Sequence, residues 1–137
     1  MVQVFMWNCL FLHKRDCFDM IYVVDDDEIM AECIAGAIDG KIKVFSNAYE
    51  VMDLISDGEI PEMIFLDVLL DGPDAFTFLN ELVSYDDTKK IPIVIVSSLD
   101  FGGKDLSEYG VVGVLNKDTM KPEDIKEYAN EYAGHQN

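Results

Sequence analysis

Acidic, hydroxyl and amine side chains stand at or near the ends of four apolar stretches of this sequence. They are Asp25, Asp26 and Asp27 after MIYVV (20–24), Asp67 in MIFLD (63–67), Ser97 in IPIVIVSS (91–98) and Lys117 in VVGVLNK (111–117). Carboxylates that lie within a few ångströms of one another disfavour each other's ionised forms unless they share a cation. If the four stretches lie side by side, this set of side chains would suit a divalent cation next to an anion.

The residue types also indicate which cation and which anion. Mg²⁺ prefers oxygen ligands, usually one or two carboxylates together with water and substrate phosphate. An ammonium and a hydroxyl opposite the metal would hold the remaining oxygens of a phosphoryl group. An aspartate can itself be the nucleophile and form an aspartyl phosphate. The pattern therefore favours phosphoryl chemistry that depends on Mg²⁺.

The apolar stretches alternate with segments of helical periodicity. The predicted strands are 20–24, 41–46, 63–67, 91–98 and 111–117, and the predicted helices are 29–38, 48–58, 75–85 and 121–133, with a short helix at most over 104–110. Such alternation predicts an α/β protein with a parallel sheet and helices on both faces. We expect a flavodoxin-like, doubly wound sheet of five strands in the order 2-1-3-4-5, with the second strand at an edge. Ligands of such sheets bind beyond the carboxyl ends of the strands.

Composition excludes several classes of protein. The chain has 137 residues and a net charge of −17, which argues against a nucleic-acid-binding surface and is compatible with cation binding and with basic protein partners. Its three cysteines form no CxxC or Cys/His cluster, so neither a disulfide framework nor a zinc site is predicted, and a cytoplasmic setting fits. Cys33 falls on the apolar face of a predicted helix, where we expect it to be buried.

The first 19 residues do not follow the alternation of strands and helices seen in the rest of the chain. Their apolar run is too short to span a bilayer, and its positive charges follow rather than precede it. We expect residues 1–19 to be an extension of unknown role, either upstream of a natural start at Met20 or an extra element packed on the domain. Residues 20–137 should form one domain, without an attached output domain and without a membrane segment.

Four motifs, taken together, resemble one family. VVDDDE, IFLDVLLDGPDAF, IPIVIVSS and VGVLNKD occur in this order over roughly residues 20–133, and their order and spacing are similar to those of the CheY-like receiver domains of two-component response regulators. Members of this family are signalling proteins that catalyse their own phosphorylation and dephosphorylation. The resemblance therefore implies that this chain is not a conventional enzyme.

The resemblance implies a role for each matching position. Asp67 would be the phosphoacceptor, and Ser97 and Lys117 would bind the phosphoryl oxygens. The implied Mg²⁺ ligands are Asp25, Asp26, Asp67 and the backbone carbonyl of Leu69. Asp27 and Glu28 would instead begin the first helix, where carboxylates are favourable.

The implied function is that of a single-domain receiver. It would take a phosphoryl group from a histidine kinase or histidine phosphotransfer protein and signal to a downstream protein through the face made by the fourth helix, the fifth strand and the last helix. Two positions close to the lysine depart from the family. Val114 stands where an aromatic switch residue is common, so that switch is missing or moved to Phe101 or Tyr109, and Asp118 replaces the common proline after the lysine.

Two other functions fit parts of the pattern. In a haloacid-dehalogenase-like phosphohydrolase, Asp25 and Asp27 would be nucleophile and acid/base, but Ile29 is unusual for that motif and Asp67 would have no role. In a pseudo-receiver, the domain would bind a partner without being phosphorylated. Steady phosphomonoester turnover would favour the first, and failure to bind Mg²⁺ or phosphoryl analogues would favour the second.

Overall fold

The computed structural model describes residues 3–4, 20–38, 40–68, 73–98 and 106–132, with the backbone alone at 3–4 and 73–76. The strands are β1 (Gln3–Val4), β2 (Met20–Val24), β3 (Lys41–Phe45), β4 (Met63–Asp67), β5 (Ile93–Ser97) and β6 (Val111–Asn116). The helices are α1 (Glu28–Gly36), α2 (Ala48–Ser56), α3 (Pro73–Val83) and α4 (Pro122–Tyr132), and Ser107–Tyr109 form one 3₁₀ turn. Within these ranges, no helix is long and apolar enough to cross a bilayer.

The sheet has the predicted topology. Its order is β1-β3-β2-β4-β5-β6, and the pairs among β2 to β6 are all parallel. In the order of the five predicted strands this is 2-1-3-4-5, as expected. One feature was not predicted, since β1 pairs antiparallel with β3 and places Gln3 opposite Val44 and Val4 opposite Lys43. The second predicted strand is therefore not the outermost strand.

Apolar side chains cover both faces of the three central strands. On one face, Tyr22, Ile64 and Ile95 pack in a cluster with residues of α2 and α3. On the other face, the alternate strand residues pack with residues of α1 and α4, including Ile34 and Ile125. Because successive side chains of a strand point to opposite faces, an uninterrupted apolar run fits a strand that is covered on both sides.

Polar side chains fix the starts of two helices. The Asp27 side chain accepts hydrogen bonds from the backbone N–H groups of Ile29 and Met30, and the Asn47 side chain accepts one from Glu50. These bonds satisfy amides that have no partner within the helix. The expected helix-start position of Asp27 is thus observed.

The orientation of α1 differs from the prediction. Cys33, which the sequence placed on the apolar face, is exposed, and Ile29 is 75% exposed. The helix instead buries Ala31 and Ile34, and residue 33 lies about 200° around the helix from residue 31 at roughly 100° per residue. The prediction that Cys33 is buried was wrong.

Candidate functional site

Three carboxylates meet at the carboxyl ends of two neighbouring strands. Asp25 and Asp26 follow β2, and Asp67 is the last residue of β4. One carboxylate oxygen from each of the three lies within 4.8 Å of the others. Asp25 is buried, Asp67 is half-buried and Asp26 is exposed, so the cluster opens to solvent on one side.

Lys117 brings a positive charge to this cluster from the end of β6. Its Nζ atom lies 2.9 Å from Asp67 Oδ1 and 3.4 Å from Asp25 Oδ2. Burial lowers the pKa of Lys117, but its hydrogen bonds to Asp67 and Asp25 and their charges raise it more, so that the pKa lies above its ordinary value. The ammonium therefore stays charged at neutral pH.

Asp25 is held in an environment that disfavours its charge. Burial and the neighbouring Asp67 charge raise its pKa to about 6, although the Asp27 backbone N–H and Lys117 act in the opposite direction. Its Oδ1 atom accepts the Asp27 N–H at 2.9 Å, whereas the buried Oδ2 atom has only the long, 3.4 Å contact with the Lys117 ammonium. A cation bound between the three carboxylates would satisfy that oxygen. This donor set of hard oxygen atoms fits Mg²⁺.

Ser97, the last residue of β5, is fully buried. Its hydroxyl donates a hydrogen bond of 2.9 Å to the backbone carbonyl of Val68, the residue after Asp67. Its own carbonyl accepts the backbone N–H of Lys117 at 2.9 Å. Ser97 thus links the chain segment that carries Asp67 to the segment that carries Lys117.

A cleft of about 340 Å³ opens from the carboxylates between α2 and α3. Asp26 and Asp67 line its acidic end, and Met52 and Phe78 line its apolar part. Space beside the carboxylates is needed if a phosphoryl group is to reach Asp67.

Two expectations cannot be placed in the described residues. Leu69, whose carbonyl was expected to bind the metal, lies outside them, as does Phe101, one of the two candidates for a moved switch residue. The other candidate, Tyr109, packs against the core. Val114 is 41% exposed on β6.

A comparison with models of protein families identifies the family of this chain. The family model described as response regulator receiver domain matches residues 21–130. The chain belongs to this receiver-domain family. The family resemblance inferred from the four motifs is therefore confirmed.

Relatives of this receiver domain include a longer protein. This chain is 29% identical to Response regulator PleD of Caulobacter vibrioides over 85 residues, which make up 61% of this chain and 19% of that protein. The receiver domain thus spans about a fifth of the length of this curated relative.

Solved structures of receiver proteins share the fold. The Mn(2+)-bound form of response regulator Rcp1 has a TM-score of 0.68 at 16% identity and covers 86% of this chain and 96% of its own. A putative response regulator from Chloroflexus aurantiacus J-10-fl has a TM-score of 0.66 at 24% identity, covering 85% and 98%. A CheY-like receiver domain protein from Methanospirillum hungatei JF-1 has a TM-score of 0.64 at 22% identity, covering 84% and 94%. The predicted fold class is confirmed.

Sequence reasoning missed three contributors to this receiver site. The Asp27 backbone N–H holds Asp25, the Val68 carbonyl holds Ser97, and Asn116 holds the turn that carries Lys117. Backbone groups leave no residue-type signal, so the first two could not have been found. Asn116 did carry a signal, because asparagine at a strand end is typical of a turn.

Proposed function

We propose that the chain accepts a phosphoryl group on Asp67 from a phosphohistidine partner, in a reaction that depends on Mg²⁺. The observation that carries this proposal is the 2.9 Å contact between Lys117 Nζ and Asp67 Oδ1, within a cluster that also contains Asp25 and Asp26. A carboxylate that is to receive a phosphoryl group needs positive charge beside it, because nucleophile and donor are both anionic. Lys117 supplies one such charge.

The transfer can be written with this chain's own residues. A carboxylate oxygen of Asp67 attacks phosphorus, the P–N bond of the phosphohistidine breaks, and its electron pair stays on the imidazole nitrogen, which takes a proton from solvent. Mg²⁺ would be held by Asp25, Asp26, Asp67 and the Leu69 carbonyl, and would supply positive charge at the phosphoryl oxygens. Lys117 remains within reach of a phosphoryl oxygen, and Ser97 can turn its hydroxyl toward one.

Ser97 would also transmit a change at the site to the protein surface. Its hydroxyl holds the Val68 carbonyl at 2.9 Å, and a phosphoryl oxygen would be a stronger, charged acceptor. Movement of Ser97 would shift β6, which pairs with β5 at Asn116. The surface formed by the Ser107–Tyr109 turn, β6 and α4 would then differ between the two states, and a downstream protein would read this difference.

The partners follow from the same proposal. A histidine kinase or histidine phosphotransfer protein would donate the phosphoryl group, and the net charge of −17 favours basic protein surfaces over nucleic acid. The cytoplasm is the compartment we propose for these encounters.

The position of Asp27 supports this function over the phosphohydrolase alternative. That alternative needs the Asp27 carboxylate as an acid/base next to Asp25. Asp27 Oδ1 instead accepts the backbone N–H groups of Ile29 and Met30 at 3.0 and 3.3 Å, at the start of α1.

Intact-mass measurement tests the proposal. Acetyl phosphate with Mg²⁺ should add one phosphoryl group to the wild type and none to Asp67→Asn, because the amide is a poor nucleophile. Asp53→Asn, which changes an exposed aspartate on α2, should be labelled like the wild type. Labelling that persists in Asp67→Asn would refute the assignment, as would steady turnover of a phosphomonoester.

A further inference from the structure

Lys117 reaches the carboxylates from the first residue of a turn. It follows β6 directly, and residues 117–119 form the turn that leads toward α4. Its side chain is 15% exposed and contacts carboxylates from two different strand ends, at 2.9 Å for Asp67 and 3.4 Å for Asp25. A long, flexible lysine side chain makes both contacts only if its backbone is held in one place, because ordering it is entropically unfavourable.

The preceding residue, Asn116, holds this turn with three hydrogen bonds. Its side-chain Oδ1 accepts the backbone N–H of Asp118 at 2.7 Å. Its backbone carbonyl accepts the N–H groups of Thr119 and Met120 at 3.1 and 2.8 Å. The side-chain bond spans residue 117, since its donor and acceptor belong to the residues on either side.

The other side of Lys117 is fixed by the sheet. Its backbone N–H donates to the Ser97 carbonyl at 2.9 Å, and Asn116 lies opposite Ser97 in the β5–β6 ladder. The backbone of Lys117 is therefore tied to β5 by its own amide and to the turn by the Asn116 side chain. Of these two restraints, only the second depends on residue type.

We propose that Asn116 is a positioning residue that directs Lys117 to the phosphoryl site. This inference rests on the proposed function. Asn116 acts through the backbone on either side of Lys117, and the hydrogen bonds that hold this turn do not involve the three carboxylates. An asparagine or aspartate side chain can bond the amide two residues ahead, whereas alanine cannot. The turn should therefore hold Lys117 with either acceptor and lose its geometry with alanine.

The experiment compares phosphorylation with metal binding in the full chain. In Asn116→Ala, the rate constant for labelling by acetyl phosphate with Mg²⁺ should fall about 5- to 30-fold. This is less than the roughly 100-fold that a 1 Å misplacement of a catalytic group can cause, because the Ser97 carbonyl still accepts the Lys117 N–H. The affinity for Mg²⁺ should not fall, because the three carboxylates are unchanged and displacement of the Lys117 ammonium from them removes a repulsive charge. Asn116→Asp should recover the labelling rate to within about threefold, since its carboxylate accepts the same N–H.

Asp124→Ala is the matched control. Asp124 Oδ2 accepts the backbone N–H of Lys121 at 2.9 Å, a side-chain-to-backbone bond of the same kind at the start of α4. We expect Asp124→Ala and Asn116→Ala to lower the melting temperature by similar amounts, while Asp124→Ala keeps the wild-type labelling rate.

The outcomes separate this inference from the proposed function. If the wild type is labelled and Asn116→Ala is labelled equally fast, Asn116 does not position Lys117. An equal loss of Mg²⁺ affinity and labelling rate would indicate general loosening of the site and would also overturn the inference. Absence of labelling in the wild type would refute the proposed function itself.

Discussion

Replacing Asp25 with asparagine should stabilise the metal-free protein at neutral pH. Asp25 is 4% exposed, and burial, helped by the Asp67 charge, raises its pKa from 3.8 to about 6 against the opposing effects of the Asp27 N–H and Lys117. Above that pH, the folded protein holds a carboxylate charge that the unfolded chain would leave in water. Removing the charge removes this destabilising contribution.

The magnitude follows from the difference between the two pKa values. A rise from 3.8 to about 6 corresponds to roughly 3 kcal/mol between the protonated and ionised limits. The folded state binds this proton more tightly than the unfolded state, so the Asp25 contribution to the free energy of unfolding decreases as pH rises from about 4 to about 6. Asparagine also loses the 3.4 Å ion pair with Lys117. We therefore expect a net gain of about 1–3 kcal/mol and a melting temperature about 3–10 °C higher.

Urea unfolding with EDTA at two pH values measures this effect. The advantage of Asp25→Asn over wild type should shrink by about 2 kcal/mol between about pH 7.5 and about pH 4.5, because Asp25 becomes protonated in the folded state. Added Mg²⁺ should stabilise the wild type more than the variant, since binding to the folded state adds to stability and the variant lacks one of the proposed ligands. The control Asp53→Asn should stay within about 0.5 kcal/mol of wild type at both pH values.

Two results would refute this reasoning. One is a loss of stability in Asp25→Asn at about pH 7.5 without metal, which would mean that the ion pair with Lys117 outweighs the burial of the carboxylate. The other is a gain that does not change with pH, which would mean that the carboxylate's ionisation is not its source.

Two further predictions concern packing and capping, and urea unfolding measures both. Gly113→Ala should lower the free energy of unfolding by about 1–3 kcal/mol, because a Cβ at this position would overlap both the hydroxyl and the ring of Tyr128. The same change should cost less in a Tyr128→Ala background, and an equal cost there would point to another cause. Asp27→Ala should lower the free energy of unfolding by about 1 kcal/mol, because it removes the cap of α1. Asn47→Ala at the start of α2 should have a similar effect. An unchanged stability in Asp27→Ala would show that the observed cap contributes nothing.

Apolar periodicity was sufficient to predict the fold. The five predicted core strands and four of the helices are all observed, and the strands 20–24 and 63–67 have the predicted bounds. Strands buried on both faces and helices with one apolar face leave few ways to cover the sheet, and right-handed crossovers restrict the order further. The short β1 could not be predicted in this way, because two residues carry no periodic signal.

The side chains of the candidate site were predictable because the strands that carry them were. Carboxylates and a lysine at the carboxyl ends of parallel strands must meet at one edge of the sheet, and Asp25, Asp26, Asp67 and Lys117 do so. Their residue types alone indicated a hard cation beside an anion.

Only the tertiary structure decided how those groups are arranged. It determined that Asp25 is buried while Asp26 is exposed, that Cys33 faces solvent, and that Asn116 holds the turn at Lys117. Each of these features depends on how a helix is rotated about its axis or on the path of a loop. The sequence pattern does not specify either of them to within one residue. Sequence periodicity defines which elements meet, whereas burial, pKa and hydrogen bonding depend on distances of an ångström or two that are set by packing.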